Sequence, residues 1–171
     1  MKNKVIETER LILEPVSKKH AAFFFELYNS PKFIEYIGDR HIKTVEDAER
    51  YIEEKVVPPM EKFGYGNYLI TRKSDDAKIG AVGIFARDGL DVQDIGFSFL
   101  PNYEGFGYAY ESAAKVLQMA KHEFRLKKIC AITTKTNFSS QKLLEKLGLK
   151  YIKDVSLPNE EIQLSYYEIE L

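Results

Sequence analysis

The chain has 171 residues, 44% hydrophobic and 30% charged, with a formal net charge of −1 at pH 7. That length is enough for a core without disulfide staples and sets the expectation of one domain over 1–171. A near-neutral balance argues against a broad nucleic-acid surface, and no apolar run reaches the ~18 residues of a membrane span. Cys130 has no second cysteine to pair with, and the opening MKNKVIETERL lacks the apolar stretch of a secretion signal, so a cytoplasmic protein is expected.

RLILEP (10–15) alternates and ends in proline, as a first strand would. SKKHAAFFFELYNS (17–30) places Ala21, Phe24, Phe25 and Tyr28 at helical spacing behind a capping Ser17, and Pro31 is expected to stop it. TVEDAERYIEEKVVPPM (44–60) reads as a second helix, opened by Thr44 with Asp47 and closed by Pro58 and Pro59. Three strands follow, YGNYLITR (65–72), KIGAVGIFAR (78–87) and VQDIGFSFL (92–100). The polar breaks between them are short enough for antiparallel hairpins.

From Gly107 the period changes, and Ala109, Ala113, Val116, Leu117, Ala120 and Phe124 fall on one helical face. KICAIT (128–133) is a short buried strand, and NFSSQKLLEKLG (137–148) is a helix with Asn137 at its N-cap and Gly148 just past its end. KYIKDVS and EIQLSYYEIEL supply two last strands. The order β-α-α-β-β-β-α-β-α-β-β predicts an α/β (α+β) layered fold: a mixed, mostly antiparallel sheet of about seven strands flanked by helices.

PNYEGFGYAYESAA (101–114) puts Gly105 and Gly107 between a strand and the first turn of a helix. A helix N-terminus presents unpartnered N–H groups and partial positive charge, and glycines let a ligand come close to the backbone. The pattern therefore reads either as an anion site, with phosphate the natural occupant, or as a tight turn alone. It is no Walker loop, because Tyr108 and Ala109 follow Gly107, and no dinucleotide fingerprint, because Tyr110 holds the sixth position. In the preceding strand Ile95, Phe97 and Phe99 share one bulky face. Asp94, Gly96 and Ser98 share the other, which is either room for a ligand beside a carboxylate or a half-exposed sheet face.

Four stretches together resemble the GNAT N-acetyltransferase superfamily: ETERLIL (7–13), KIGAVGIF (78–85), DIGFSFLPNYEGFGYAYESA (94–113) and NFSSQKLLEKLGL (137–149). Within it the chain is similar to the branch of ribosomal-protein N-terminal (Rim-type) acetyltransferases. The resemblance implies acetyl-CoA as cosubstrate, without a metal. It implies that backbone N–H groups of Gly105, Phe106, Gly107, Tyr108 and Ala109 hold the pyrophosphate. Phe99 and Leu100 would offer backbone hydrogen bonds to the pantetheine arm, Asn137 would bond it too, and an amine would attack the thioester directly. The acceptor would be a protein N-terminal α-amine or a small-molecule amine, met by the segment 28–45. A monomer or homodimer, without membrane or nucleic-acid partner, is expected. A CoA-binding regulatory module without turnover is the alternative.

Three positions depart from the superfamily's pattern: Glu104 stands where Gln or Arg is usual, Phe106 where the branch often has Lys or Arg, and Leu144 where many members place a tyrosine acid. Ser140 is then the nearest hydroxyl to protonate the leaving thiolate, or an ordinary first-turn residue. Asp94 is the candidate base, or a plain strand carboxylate. A free Asp of pKa ~3.9 would need burial or an ordered water to deprotonate an ammonium. His20, His41 and His122 show no triad or metal spacing, and Cys130 reads as core.

Overall fold

The computed structural model describes residues 4–171. Eight strands form one sheet: β1 (Ile6–Glu7), β2 (Leu11–Pro15), β3 (Asn67–Arg72), β4 (Lys78–Phe85), β5 (Asp94–Phe99), β6 (Lys128–Thr134), β7 (Lys150–Val155) and β8 (Leu164–Glu170). Their spatial order is β1-β2-β3-β4-β5-β6-β8-β7. Every neighbouring pair is antiparallel except β5 and β6. Among the described residues the α-helices are α1 (Ala21–Tyr28), α2 (Pro31–Tyr36), α3 (Val45–Tyr51), α4 (Val57–Phe63), α5 (Tyr108–His122) and α6 (Phe138–Lys146). The mixed α/β expectation holds, with β1 as an eighth, two-residue strand too short for periodicity to reveal.

Three prolines start helices, a role the sequence reading does not give them. The preceding helix does end before Pro31, at Tyr28, but Pro31 also opens α2 behind an extended Ser30, where its missing N–H would have had no partner. Pro58 and Pro59 do not close their helix. A π-helical turn over Ile52–Val56 precedes them, with Val57 N–H bonded to the Ile52 carbonyl, and they sit in the first turn of α4. The wider turn lets the chain pass two residues that cannot donate.

Two cores lie on the two faces of the sheet. Leu13, Ile70, Val82, Ile84, Ile95, Ile129 and Ala131 pack against Ala113, Val116 and Leu117 of α5 and Leu144 of α6. On the other face Leu69 and Ala81 meet Phe24, Leu27, Phe33, Ala48 and Ile52 of the α1–α3 layer. Burying each large aliphatic side chain contributes about 1.5–3 kcal/mol, so both layers are held chiefly by apolar contact.

Candidate active site

β5 and β6 are parallel, and a single ladder pair, Asp94 with Cys130, joins them. Cys130 N–H donates to the Gln93 carbonyl at 2.9 Å there, and beyond that point no ladder pair connects the two strands. They diverge from this vertex toward their C-terminal ends. Backbone groups alternate sides along a strand, so the bonding at Gln93 and Cys130 fixes which residues face the opening. From β5 these are Phe97 and Phe99, and from β6 Ile132. Leu100 differs from the sequence expectation. Its N–H donates to the Ile79 carbonyl at 3.0 Å, and its own carbonyl accepts from Tyr103 N–H at 3.1 Å. Phe97 takes its place at the opening, a residue that strand parity alone could have supplied.

The glycine turn sits at the wide end of the notch. Gly105 has φ +83° and Gly107 φ +81°, both left-handed, and a Cβ on Gly105 would meet nothing within 4 Å. The first backbone hydrogen bond of α5 runs from Glu111 N–H to the Gly107 carbonyl, 3.1 Å. The amides ahead of it have no intrahelical partner, and they carry the positive end of a 15-residue helix. Phe106 is exposed and stacks on Tyr108, with ring centroids 5.7 Å apart. Glu104, beside these amides, is not a bare acid, because Lys32 of α2 pairs with it at 2.5 Å. That bond raises the Lys32 pKa.

Across the notch, Asn137 caps α6 by accepting from Ser140 N–H at 3.3 Å. Its oxygen is thereby engaged, while its amide nitrogen has no hydrogen-bond partner among the described residues. Ser140 lies in the first turn, and its hydroxyl has no hydrogen-bond partner among the described residues. The Thr134 hydroxyl, at the end of β6 beside this cap, is buried with no hydrogen-bond partner. A buried orphan hydroxyl is costly unless something bonds it. Leu144 is fully buried in the α5-side core, so that position cannot present a proton to the notch.

Asp94 stands at the vertex on the face away from α5 and is 2% exposed. Arg87, in the β4–β5 loop, binds it in a fork, Nε to Oδ1 and Nη2 to Oδ2, each 3.2 Å. Burial pushes the carboxyl pKa up, and the Arg87 guanidinium offsets part of that rise. The small face expected beside Asp94 is less open than its residues imply. Gly83 and Gly96 are paired across β4 and β5, and the Phe85 ring covers both. A Cβ on Gly96 would lie 3.1 Å from Phe85 Cε2. Also on this face, the Tyr166 hydroxyl donates to Glu168 at 2.7 Å, and burial pushes the Cys130 thiol up to about 12. The β4–β5 and β7–β8 loops meet where Gly89 abuts Pro158.

The three histidines stay apart. His20 is buried and accepts from Ser17 N–H through Nδ1 at 3.0 Å, while His41 and His122 are exposed. Among the described residues no helix is long and apolar enough to cross a membrane.

The acetyltransferase (GNAT) domain matches residues 10–150, a span that includes the splayed pair, the glycine turn and the start of α5. The chain belongs to that family and is by class an acetyl-CoA-dependent N-acetyltransferase. It is similar to the uncharacterized N-acetyltransferase YnaD of Bacillus subtilis (strain 168), 27% identical over 168 residues, covering 96% of this chain and 95% of that protein. In fold it matches a GNAT-family acetyltransferase from Bacillus anthracis at 24% identity, TM-score 0.79, over 98% of each chain. It also matches RimL, a ribosomal L7/L12 α-N-protein acetyltransferase in complex with coenzyme A, at 12% identity and TM-score 0.84, over 98% of each chain.

Proposed function

We propose that the protein acetylates a primary amine, with acetyl-CoA lying along the opening between β5 and β6. The observation that carries this reading is the splay: two parallel neighbours share one ladder pair and then separate toward a helix N-terminus. Backbone groups of Phe97, Phe99 and Ile132 can bond the amides of a pantetheine arm as a missing strand would. The amides from Gly105 through Ala109 would hold the pyrophosphate, with the α5 dipole adding to their attraction. The Asn137 amide and the orphan Thr134 hydroxyl fit the polar groups of the arm, which gives that hydroxyl the partner it otherwise lacks.

The acceptor would reach the vertex from the face that carries Asp94. Its nitrogen lone pair forms the new C–N bond at the acetyl carbon while the C–S bond breaks. One proton leaves the nitrogen, and one is added to the departing thiolate. Asp94 is the group proposed to receive the first, directly or through water, since burial makes it a stronger base than a free carboxylate. Ser140 is proposed for the second. In the acceptor we include protein N-terminal α-amines, the substrate named for RimL, and small-molecule amines. The test is incubation with acetyl-CoA and a panel of both amine classes, with thiol release and product mass as readouts. An acetylated amine with stoichiometric free thiol is expected, and acetyl-CoA binding without any acetylated product across both classes would overturn the reading.

A further inference from the structure

Arg10 belongs to the turn between β1 and β2, far from the glycine loop in sequence, yet most of its polar contacts are to that loop and the turn after it. Its Nη1 donates to the Phe106 carbonyl at 2.9 Å, its Nε donates to Glu111 Oε2 at 2.7 Å, and its own N–H donates to Glu111 Oε1 at 2.8 Å. The guanidinium lies over the Tyr108 ring, 4.6 Å from the centroid. Thr8 completes the arrangement, its hydroxyl donating to Glu111 Oε1 at 2.6 Å. We infer that Arg10 is a positioning residue for the cofactor's pyrophosphate, acting through the backbone it holds rather than by touching the ligand.

Two physical effects support this. A trans peptide is planar, with its carbonyl and the following N–H pointing in opposite directions. Bonding the Phe106 carbonyl toward Arg10 therefore turns the Gly107 N–H away from Arg10 and fixes its aim. Gly107 has no side chain of its own to restrain this peptide, and the Arg10 bond supplies a restraint from across the sheet edge.

The second effect is charge. Glu111 lies in the first turn of α5, where its carboxylate would repel an anion bound at the same helix end. Burial pushes the Glu111 pKa up. The Thr8 hydroxyl and the Arg10 N–H and guanidinium outweigh it, so the group is held below its ordinary value as a carboxylate. Arg10 thus cancels, at contact distance, the one negative charge built into the helix start. The Arg fork is suited to bonding a carbonyl and a carboxylate at once, which a lysine ammonium does less well.

This inference rests on the cofactor reading above, and the experiment separates the two. Dissociation constants are measured by calorimetry for CoA and for dephospho-CoA, both of which carry the pyrophosphate. Pantetheine, which carries none, is measured by competition. Arg10→Ala should weaken CoA and dephospho-CoA by the same factor, about 10-fold or more, as expected when a charge-assisted bond is lost and a carboxylate is left bare. Pantetheine should change by less than about twofold, since its binding does not involve the reoriented peptide. Arg10→Lys should fall between. Adding Glu111→Gln to Arg10→Ala should restore part of the loss. If Arg10→Ala does not fold, Arg10→Lys carries the same comparison. An equal loss for all three ligands, or an unchanged constant for CoA, would overturn the inference. Failure of the unaltered protein to bind CoA would instead overturn the cofactor reading itself.

Discussion

Replacing Gly107 by valine tests the glycine turn most sharply, because the cost can be located. A Cβ there would lie 3.4 Å from Arg10 Nη2, a contact the flexible guanidinium can relieve, so the penalty resides in the backbone at φ +81°. Holding an L residue in that region costs about 1–2 kcal/mol, with a β-branched one at the upper end. For a chain of this length about 2 kcal/mol lowers Tm by about 4–8 °C. The alternative is rotation of the loop to negative φ, which reduces the strain but re-aims its amides. Either route should disable the proposed pyrophosphate site. Acetyl-CoA at 100-fold above Kd stabilises the folded state by about 2.7 kcal/mol, which should raise the wild-type Tm by about 5–10 °C. Gly107→Val should show almost none of that rise. Gly64→Val is the matched control: Gly64 has φ +80° and nothing within 4 Å of a Cβ, and it follows α4 near the far end of α5. It should lose comparable stability and keep the full ligand-induced rise. A Gly107→Val protein that melts with the wild-type acetyl-CoA shift would refute the reasoning.

Three further outcomes are expected. Asp94→Asn should reduce kcat/KM most below the amine's own pKa, with the deficit shrinking as pH rises and free amine becomes abundant; equal rates at every pH would make the Asp94–Arg87 pair purely structural. Ser140→Ala should lower kcat by roughly 10²-fold with little change in CoA affinity, and an unaltered kcat would remove Ser140 from the proton path. Cys130, its thiol pushed up to about 12 by burial, stays protonated at pH 8, so an alkylating reagent should label it far more slowly in the native than in the denatured protein; similar rates would contradict the burial seen here.

The parts of this molecule legible in its sequence are those governed by local physics. The strand over 94–99, the helix that begins after Gly107 and the Asn137 cap all appear as read, because each depends on residues within a few positions of one another. Pro31, Pro58 and Pro59 were misleading because proline's missing donor is compatible with a helix start as well as a helix end, and only the surrounding turn decides. The openness around Asp94 depends on a phenylalanine one strand away covering two glycines, and the engagement of Leu100 depends on the register with β4. Arg10 is the clearest omission. ETERLIL carries a family pattern, but its arginine meets residues about a hundred positions later, and no local periodicity encodes that contact.

The lone ladder pair between β5 and β6 has a mechanical consequence. Strands β1 to β5 form one hydrogen-bonded block and β6 to β8 another, and backbone pairing between the blocks is confined to the vertex. They are also united by the helix layer, where α5 and α6 pack on a core drawn from both, and by the β4–β5 and β7–β8 loops at Gly89 and Pro158. Cooperative opening need not then involve the whole sheet, and amides of β6 and β8 should exchange as a unit of lower protection than those of β3 and β4. A molecule bonded to both lips of the notch would act as a cross-tie. Its binding should slow exchange across the C-terminal block, including amides it never touches.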